Sequence, residues 1–537
     1  MKLYLAVPRQ TRRGAPGAAT RPAQTREWIA RLPLLNTRES LQKIHDALWE
    51  INRAELRIMP RLKLLDMYRS PLRVIQRQVE TRLTRGAAPL PASDLATVET
   101  YRDCCVEMAY GYKIVILEVA RAMKRRHLDE LRLSMARAIF YLETTVYACV
   151  LYRQSPPEGV WTEIHTIYQY ARRLGIADTP IRDRIARTRT STSISLAYRR
   201  ALLFGLSDPY HQSVPLMGRL INFLRRHAAE AELREYTNPR TERCQFVIDP
   251  QSDYPARAYI KQGESQPPGD ALLLDTVNLT RGAHEQLKRL TSAQHLDVEL
   301  DDEFKDDLGR KLLEEVVHAW GVIPRREEER VEVDSNGVEA MIGIQAVNYC
   351  MNGEREFILS SPDRADHAST SGTFQMHQLR RQPARLDKLH CSVRDRAASG
   401  LRLAVDYDSP AVGSLRVGDV MAVRDGSGPW VPGIIRWIRC VDDEIQLGLK
   451  KLTQPGKPVA VKPVSTELEE PFKEALAFTP EGEQGAPVIQ LVAPPGLYRG
   501  QRNLFVDDGA TLSMVRGRSL VERSQTIEWF ECETINL

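Results

Sequence analysis

Between Asn36 and Glu235 apolar side chains recur every three or four residues, the period of one buried helix face. Asn36 stands three residues before Glu39, the spacing of a helix-opening capping box. It leads into Leu41, Ile44, Leu48 and Ile51. Tyr101, Cys105, Met108, Tyr112, Val115 and Val119 repeat the stripe, and Met135, Ile139, Leu142, Val146 and Cys149 follow it. Further helical segments are expected over Trp161–Leu174, Ser193–Gly205 and Leu216–Ala231. Such stripes bury against one another, so residues 36–235 read as an all-α bundle or superhelix. No fixed-period repeat stands out. Residues 1–35 read as a mobile leader, Ala/Gly/Pro-rich from Gly14 to Gln24.

The period then changes. Residues 236–324 look like a Pro/Gly-rich connector around a possible strand, Cys244–Asp249, and two short helices, Arg281–Ser292 and Asp301–Trp320. Beyond Val331 the pattern alternates. Gly400–Val405, Val417–Val423 and Trp430–Arg439 read as strands, with Ile435 and Trp437 expected on one face of the third. A further strand places Ile445, Leu447 and Leu449 on one face. Short strands at roughly ten-residue spacing, with turns between them, indicate a barrel or sandwich rather than βαβ units. Val488–Val492, Asn503–Val506, Thr511–Val515 and Ile527–Ile535 suggest a small β-rich module over 464–537. The fold class is therefore α+β and multidomain.

At 537 residues the chain can hold several independent cores. Its formal charge of +5 is unevenly spread: Met1–Glu230 has 38 basic against 21 acidic residues, and the remainder has 37 against 49. A basic helical half facing water suits nucleic acid, an anionic surface or an acidic protein; the two halves could equally face one another. The eight cysteines show no CxxC spacing, which points to a reduced, cytoplasmic protein. No apolar run approaches the length of a membrane-spanning helix, and Met1–Val7 is too short for a secretory signal. Glu314, Glu315 and His318 share one helix, and Glu163 and His165 lie two apart on another; neither set completes a metal site. Walker, HExxH, GxSxG and dinucleotide fingerprints are missing, so no catalytic residue is assigned.

The chemistry concentrates at Asp395-Arg396-Ala397-Ala398-Ser399-Gly400. A carboxylate there can accept from the N1 and N2 donors of guanine, and a glycine lets backbone approach a ligand. Turns of this composition also occur with no ligand role. From Val393 to Pro463 the chain resembles the PilZ domain family, whose members bind cyclic di-GMP and carry Asp/Asn-x-Ser-x-x-Gly. Asp395, Ala397 and Gly400 fill that pattern, except that alanine replaces the serine hydroxyl; Ser399 lies two residues on.

The resemblance also implies an Arg-x-x-x-Arg motif ahead of the first barrel strand. Arg326 and Arg330 stand directly before Val331-Glu332-Val333 and are preferred; Arg381 and Arg385, with Arg380 beside them, have the same spacing. Guanidinium groups fork onto phosphate or guanine edges and stack on purines, which lysine cannot reproduce. By composition, Arg326 and Arg330 also suit a solvated run pairing with Glu327–Glu329 and Glu332. The preferred pair implies a PilZ-like barrel over 325–463 with an insertion near 348–389. Trp430 and Trp437 are expected to pack the barrel rather than stack on bases.

The implied protein is a cytoplasmic, non-enzymatic signalling receptor. Its ligand would be cyclic di-GMP, its expected site Arg326, Arg330, Asp395, Ala397, Ser399 and Gly400, and its helical domain would engage a protein partner. It would need no cofactor and no metal. Two alternatives remain: a degenerate PilZ-like barrel that only binds protein, and nucleic-acid binding through the basic helical half.

Overall fold

A computed structural model describes residues 3–11, 21–85, 92–122, 125–181, 192–237, 243–259, 269–292, 304, 306–321, 330–360, 388–409, 412, 415–441, 444–452, 454, 456–464, 470–479 and 488–535. It divides into two compact units that part between Arg325 and Arg326.

The first unit opens with helices α1 (Pro22–Ala30), α2 (Thr37–Arg53), α3 (Ile58–Arg85), α4 (Ala92–Ala122), α5 (Leu128–Leu151), α6 (Val160–Arg173), α7 (Ile194–Leu206) and α8 (Val214–His227). The Asn36 side chain accepts from the Glu39 amide at 3.3 Å and so caps α2, while Leu41, Ile44, Leu48 and Ile51 are fully buried. Helix α5 is buried on almost every side, which places it at the centre of the bundle. Residues 21–35 and 3–11 are not the mobile leader the composition suggested. Leu5 is buried, and the Ala6 amide donates to Glu163 at 2.8 Å. The remainder of that leader, 12–20, lies outside the described residues.

The stretch expected to be a connector belongs to this same core. Strands β1 (Glu232–Glu235), β2 (Gln245–Ile248), β3 (Arg257–Ala258) and β4 (Leu272–Asp275) form a sheet in the order β1-β4-β2-β3. Helices α9 (Val277–Ser292) and α10 (Asp307–Gly321) follow. Phe246, Ile248, Leu272, Leu274, Leu312 and Trp320 join the hydrophobic cluster of the bundle, and the Trp320 indole N–H donates to the Leu203 carbonyl at 3.2 Å. Enough apolar surface is buried to hold these strands and helices in place.

The second unit contains two closed barrels. The first uses β5 (Val331–Ile342), β6 (Leu389–Arg396), β7 (Gly400–Asp406), β8 (Val420–Asp425), β9 (Val431–Val441) and β10 (Glu444–Lys451), with helix α11 (Ile344–Met351) after β5. The second uses β11 (Lys457–Pro463), β12 (Lys473–Phe478), β13 (Val488–Ala493), β14 (Asn503–Asp507), β15 (Leu512–Arg523) and β16 (Glu528–Ile535). Lys457–Pro463 thus opens the second barrel rather than closing the first, and residues 464–537 are most of a barrel rather than a loose module. Both barrels have one antiparallel connectivity: the first strand pairs with the second and fourth, the third with the second and sixth, and the fifth with the fourth and sixth. Closure leaves neither with a free edge.

Helix α11 packs against both barrels. Ile344, Val347 and Cys350 join Val420, Ala422 and Ile434 of the first and Leu476, Phe478 and Val492 of the second in one apolar cluster. The buried Asn348 amide donates to the carbonyls of Val459, at 3.0 Å, and Ala475, at 2.8 Å. Asp419, also buried, accepts from the Thr526 hydroxyl across the same junction. Burial pushes its carboxyl up to about 6, against the opposing pull of that hydrogen bond and of Arg416. Arg436 pairs with Glu522 at 2.6 Å.

Candidate functional site

The turn joining β6 to β7 is tight because the Ala397 amide donates to the Gly400 carbonyl at 2.9 Å. Gly400 then enters the barrel wall, where a Cβ would sit 3.0 Å from the Leu449 carbonyl oxygen. Opposite, the Lys451 amide at the end of β10 donates to the Ser399 carbonyl at 2.9 Å, and the Lys451 Nζ donates to the carbonyls of Ala397 and Ala398 at 3.2 and 3.3 Å. The turn is thus held from inside by its own backbone and from the side by the last strand of the barrel.

Asp395 heads this turn. Its carboxylate is nearly buried, with the Arg330 Nη1 2.8 Å from one oxygen and the Arg402 Nε 3.2 Å from the other. Arg330 arrives from the residue before β5. Arg402 is the direct cross-strand partner of Asp395 on β7. One carboxylate therefore serves two guanidinium groups, whose side chains stay 40% and 37% exposed. Each guanidinium has further N–H donors on a partly exposed side chain, which is what an anion or a guanine edge requires. Arg396 points elsewhere and pairs with Asp425 at 2.9 Å.

Of the residues singled out in the sequence, the structure brings together Arg330, Asp395, Ala397, Ser399 and Gly400. Arg326, Arg380, Arg381 and Arg385 lie outside the described residues. Arg402 and Lys451 were missed. Arg402 was legible in principle, since it is the outward-facing position between the buried Leu401 and Leu403. Lys451 carried no local signal, because only barrel closure brings β10 back to the turn.

The two tryptophans separate. Trp430 donates its indole N–H to Glu354 at 3.2 Å and lies under the Arg424 guanidinium, 4.4 Å from its ring centroid. Trp437 is not in the barrel interior: a bulge where β9 meets β10 leaves Ile435 and Ile438 in the core and turns Trp437 outward, not onto the face of Ile435.

Glu163 and His165, the catalytic-looking pair of α6, have structural explanations. His165 is buried, with its ring nitrogens 2.6 Å from the Tyr198 hydroxyl and 2.8 Å from the Tyr254 carbonyl. Burial lowers its pKa below that of a free imidazole. Glu163 pairs with the buried Lys113 at 2.6 Å. Among the described residues, no group of acidic, histidine and cysteine side chains could hold a metal ion, and no helix is long and apolar enough to cross a membrane. Many basic side chains of this unit are engaged internally. Arg53 pairs with Glu107 at 2.9 Å, Arg137 with Asp66 and Arg200 with Glu143, while the buried Arg61 donates to the Ile51 and Ala54 carbonyls.

Comparison with known proteins bears on both units. Residues 23–239 match the family model described as the N-terminal domain of the cyclic-di-GMP receptor FimW, and residues 245–383 match that of its middle PilZ domain. The second match includes Arg326, Arg330 and β5 and ends before Asp395. The chain is 24% identical over 521 residues to the cyclic-di-GMP receptor FimW of Pseudomonas aeruginosa, covering 88% of this chain and 84% of that protein. Among solved structures, the Borreliella burgdorferi PlzA protein in complex with c-di-GMP is 8% identical, and the match covers 40% of this chain and 90% of that one. Its TM-score of 0.13 is too low to bear on the fold.

Proposed function

The chain belongs to the PilZ domain family, and on that premise we propose that it is a non-enzymatic, cytoplasmic receptor that takes cyclic di-GMP at the β6–β7 turn of its first barrel. The observation that carries this reading is the Asp395 carboxylate shared by Arg330 and Arg402 at the head of the turn. A guanine can replace those arginines on the carboxylate by donating from N1 and N2. The released guanidinium groups then turn to phosphate oxygens or to O6 and N7. Arg326, four residues ahead of Arg330, would add a second guanidinium from the segment before β5. Gly400, without a Cβ, lets the end of the turn lie against the Leu449 carbonyl of β10, and Ser399 is the nearest hydroxyl in sequence to the one that Ala397 lacks.

The reading extends to output. Lys451 holds the carbonyls of the turn, and six residues later the chain enters β11 of the second barrel. A ligand that moves the turn would therefore act on the strand that leads into that barrel, and through it on a protein partner. The helical unit is the proposed partner-binding part.

Calorimetric titration of the full chain with cyclic di-GMP tests the reading, with GTP as control and an Arg330→Ala/Asp395→Ala double variant in parallel. Saturable binding that the variant loses supports it. A folded wild-type chain that takes up no ligand would favour the second reading, a barrel that only binds protein, for which the alanine at 397 speaks. Nucleic-acid binding through the helical unit is disfavoured by the internal pairing of its arginines, and steep salt-dependent binding to RNA or DNA would reinstate it.

A further inference from the structure

Asp395, Arg402, Gly448 and Trp437 form one cross-strand row over β6, β7, β10 and β9, each the direct partner of the next. Direct partners share a face of the sheet, and this row is on the outside: Leu401, Leu403, Leu447 and Leu449, its neighbours along the strands, fill the barrel core. At Gly448 the row has no side chain of its own. A Cβ there would lie 2.0 Å from the Trp437 Nε1 and 2.5 Å from its Cε2, so the indole lies across this position. Neighbouring strands are about 4.8 Å apart, which puts the Arg402 and Trp437 backbones roughly 10 Å apart with the indole spanning much of the gap.

Trp437 is partly exposed, and its indole N–H makes no hydrogen bond to any described residue. Trp430 offers a direct contrast, since its N–H is bonded to Glu354 and its ring is covered by Arg424. A large, partly exposed aromatic on the outer wall, bedded on a glycine and in line with a guanidinium and a carboxylate, lies beside hydrogen-bonding groups suited to a base. We propose that Trp437, seated on Gly448, is a stacking platform for a purine base of the nucleotide, with Arg402 at the edge of that base. This rests on the reading that the first barrel takes cyclic di-GMP, and adds to it a residue outside the turn. A flat platform accepts any purine by its face, so Trp437 would strengthen binding while Asp395 and the arginines select guanine.

The test is calorimetric titration of the full chain and of W437F and W437L with cyclic di-GMP, with cyclic di-AMP as a second arm, alongside tryptophan emission. Stacking of a base on an aromatic side chain corresponds to an affinity change on the order of 10-fold. W437L should bind cyclic di-GMP about 10-fold more weakly than wild type, and W437F within about threefold of it. Saturating ligand should quench wild-type emission by an amount missing from W437F, even though W437F still binds. G448A, whose Cβ displaces the indole, should weaken binding as W437L does. A wild type that binds while W437L and G448A bind equally well would overturn the platform and leave the receptor reading standing. So would equal quenching in wild type and W437F, a readout that holds even if W437L fails to fold. A wild type that binds neither dinucleotide overturns both readings.

Discussion

Replacing Asp419 by asparagine should stabilise the barrel pair at neutral pH and do so progressively less as the pH is lowered. Asp419 is 4% exposed and stands just before β8, with its carboxylate against the Thr526 hydroxyl of the other barrel. Its carboxyl is pushed from the usual 3.8 up to about 6, first by burial. A folded-state value above the unfolded one means that the native chain holds the proton more tightly. The associated stability is complete below pH 3.8 and is lost as the pH rises through about 6. The interval of about 2 units corresponds to about 3 kcal/mol, of which roughly two thirds is lost between pH 4.5 and 7.5. Asparagine keeps an acceptor for Thr526 and carries no charge at any pH. The difference between variant and wild type should therefore move in favour of the variant by about 2 kcal/mol over that range. Comparing two pH values cancels whatever the substitution does to packing. Scanning calorimetry of the full chain at both pH values reads this from the transition that contains the barrels. A variant-minus-wild-type difference that is the same at both pH values, or that falls as pH rises, would refute the assignment of a buried, protonatable carboxyl at this junction.

Other substitutions separate the parts of the structure. Asn348→Leu removes the donor to the Val459 and Ala475 carbonyls and should destabilise the barrel pair by about 1–3 kcal/mol, seen as a lower midpoint in the same calorimetric transition. Ala397→Ser returns a hydroxyl to the turn and should tighten cyclic di-GMP binding by about 2- to 10-fold in calorimetry, and an unchanged affinity would show that no ligand group lies within its reach. Arg330→Ala should weaken binding about 10-fold or more and flatten its dependence on salt, measured by titration at two ionic strengths, whereas loss of affinity with an unchanged salt slope would mean that Arg330 acts only on Asp395.

The sequence alone carried the two periodicities, and with them the division into a helical and a β-barrel part. Helix α2 shows why: its cap at Asn36 and its stripe of Leu41, Ile44, Leu48 and Ile51 are local features that need no distant partner to be read. The Asp395–Gly400 turn was legible for the same reason, because its motif lies within six residues. The connector reading failed because Pro/Gly content describes the backbone preferences of a segment and not the surface available to cover it; Phe246, Leu272 and Trp320 bury against helices far away in the chain. The face assigned to Trp437 failed because a single bulge shifts a strand's alternation by one residue, and bulges arise from pairing, which one strand does not encode. Closure of the first barrel was decisive for the site. It carries Lys451 to the turn, as the pairing of β5 with β6 carries Arg330 to Asp395, contacts between residues far apart in sequence that meet only where hydrogen-bond register and hydrophobic burial are satisfied together; Arg402 reaches Asp395, and Trp437 reaches Gly448, across neighbouring strands of one hairpin.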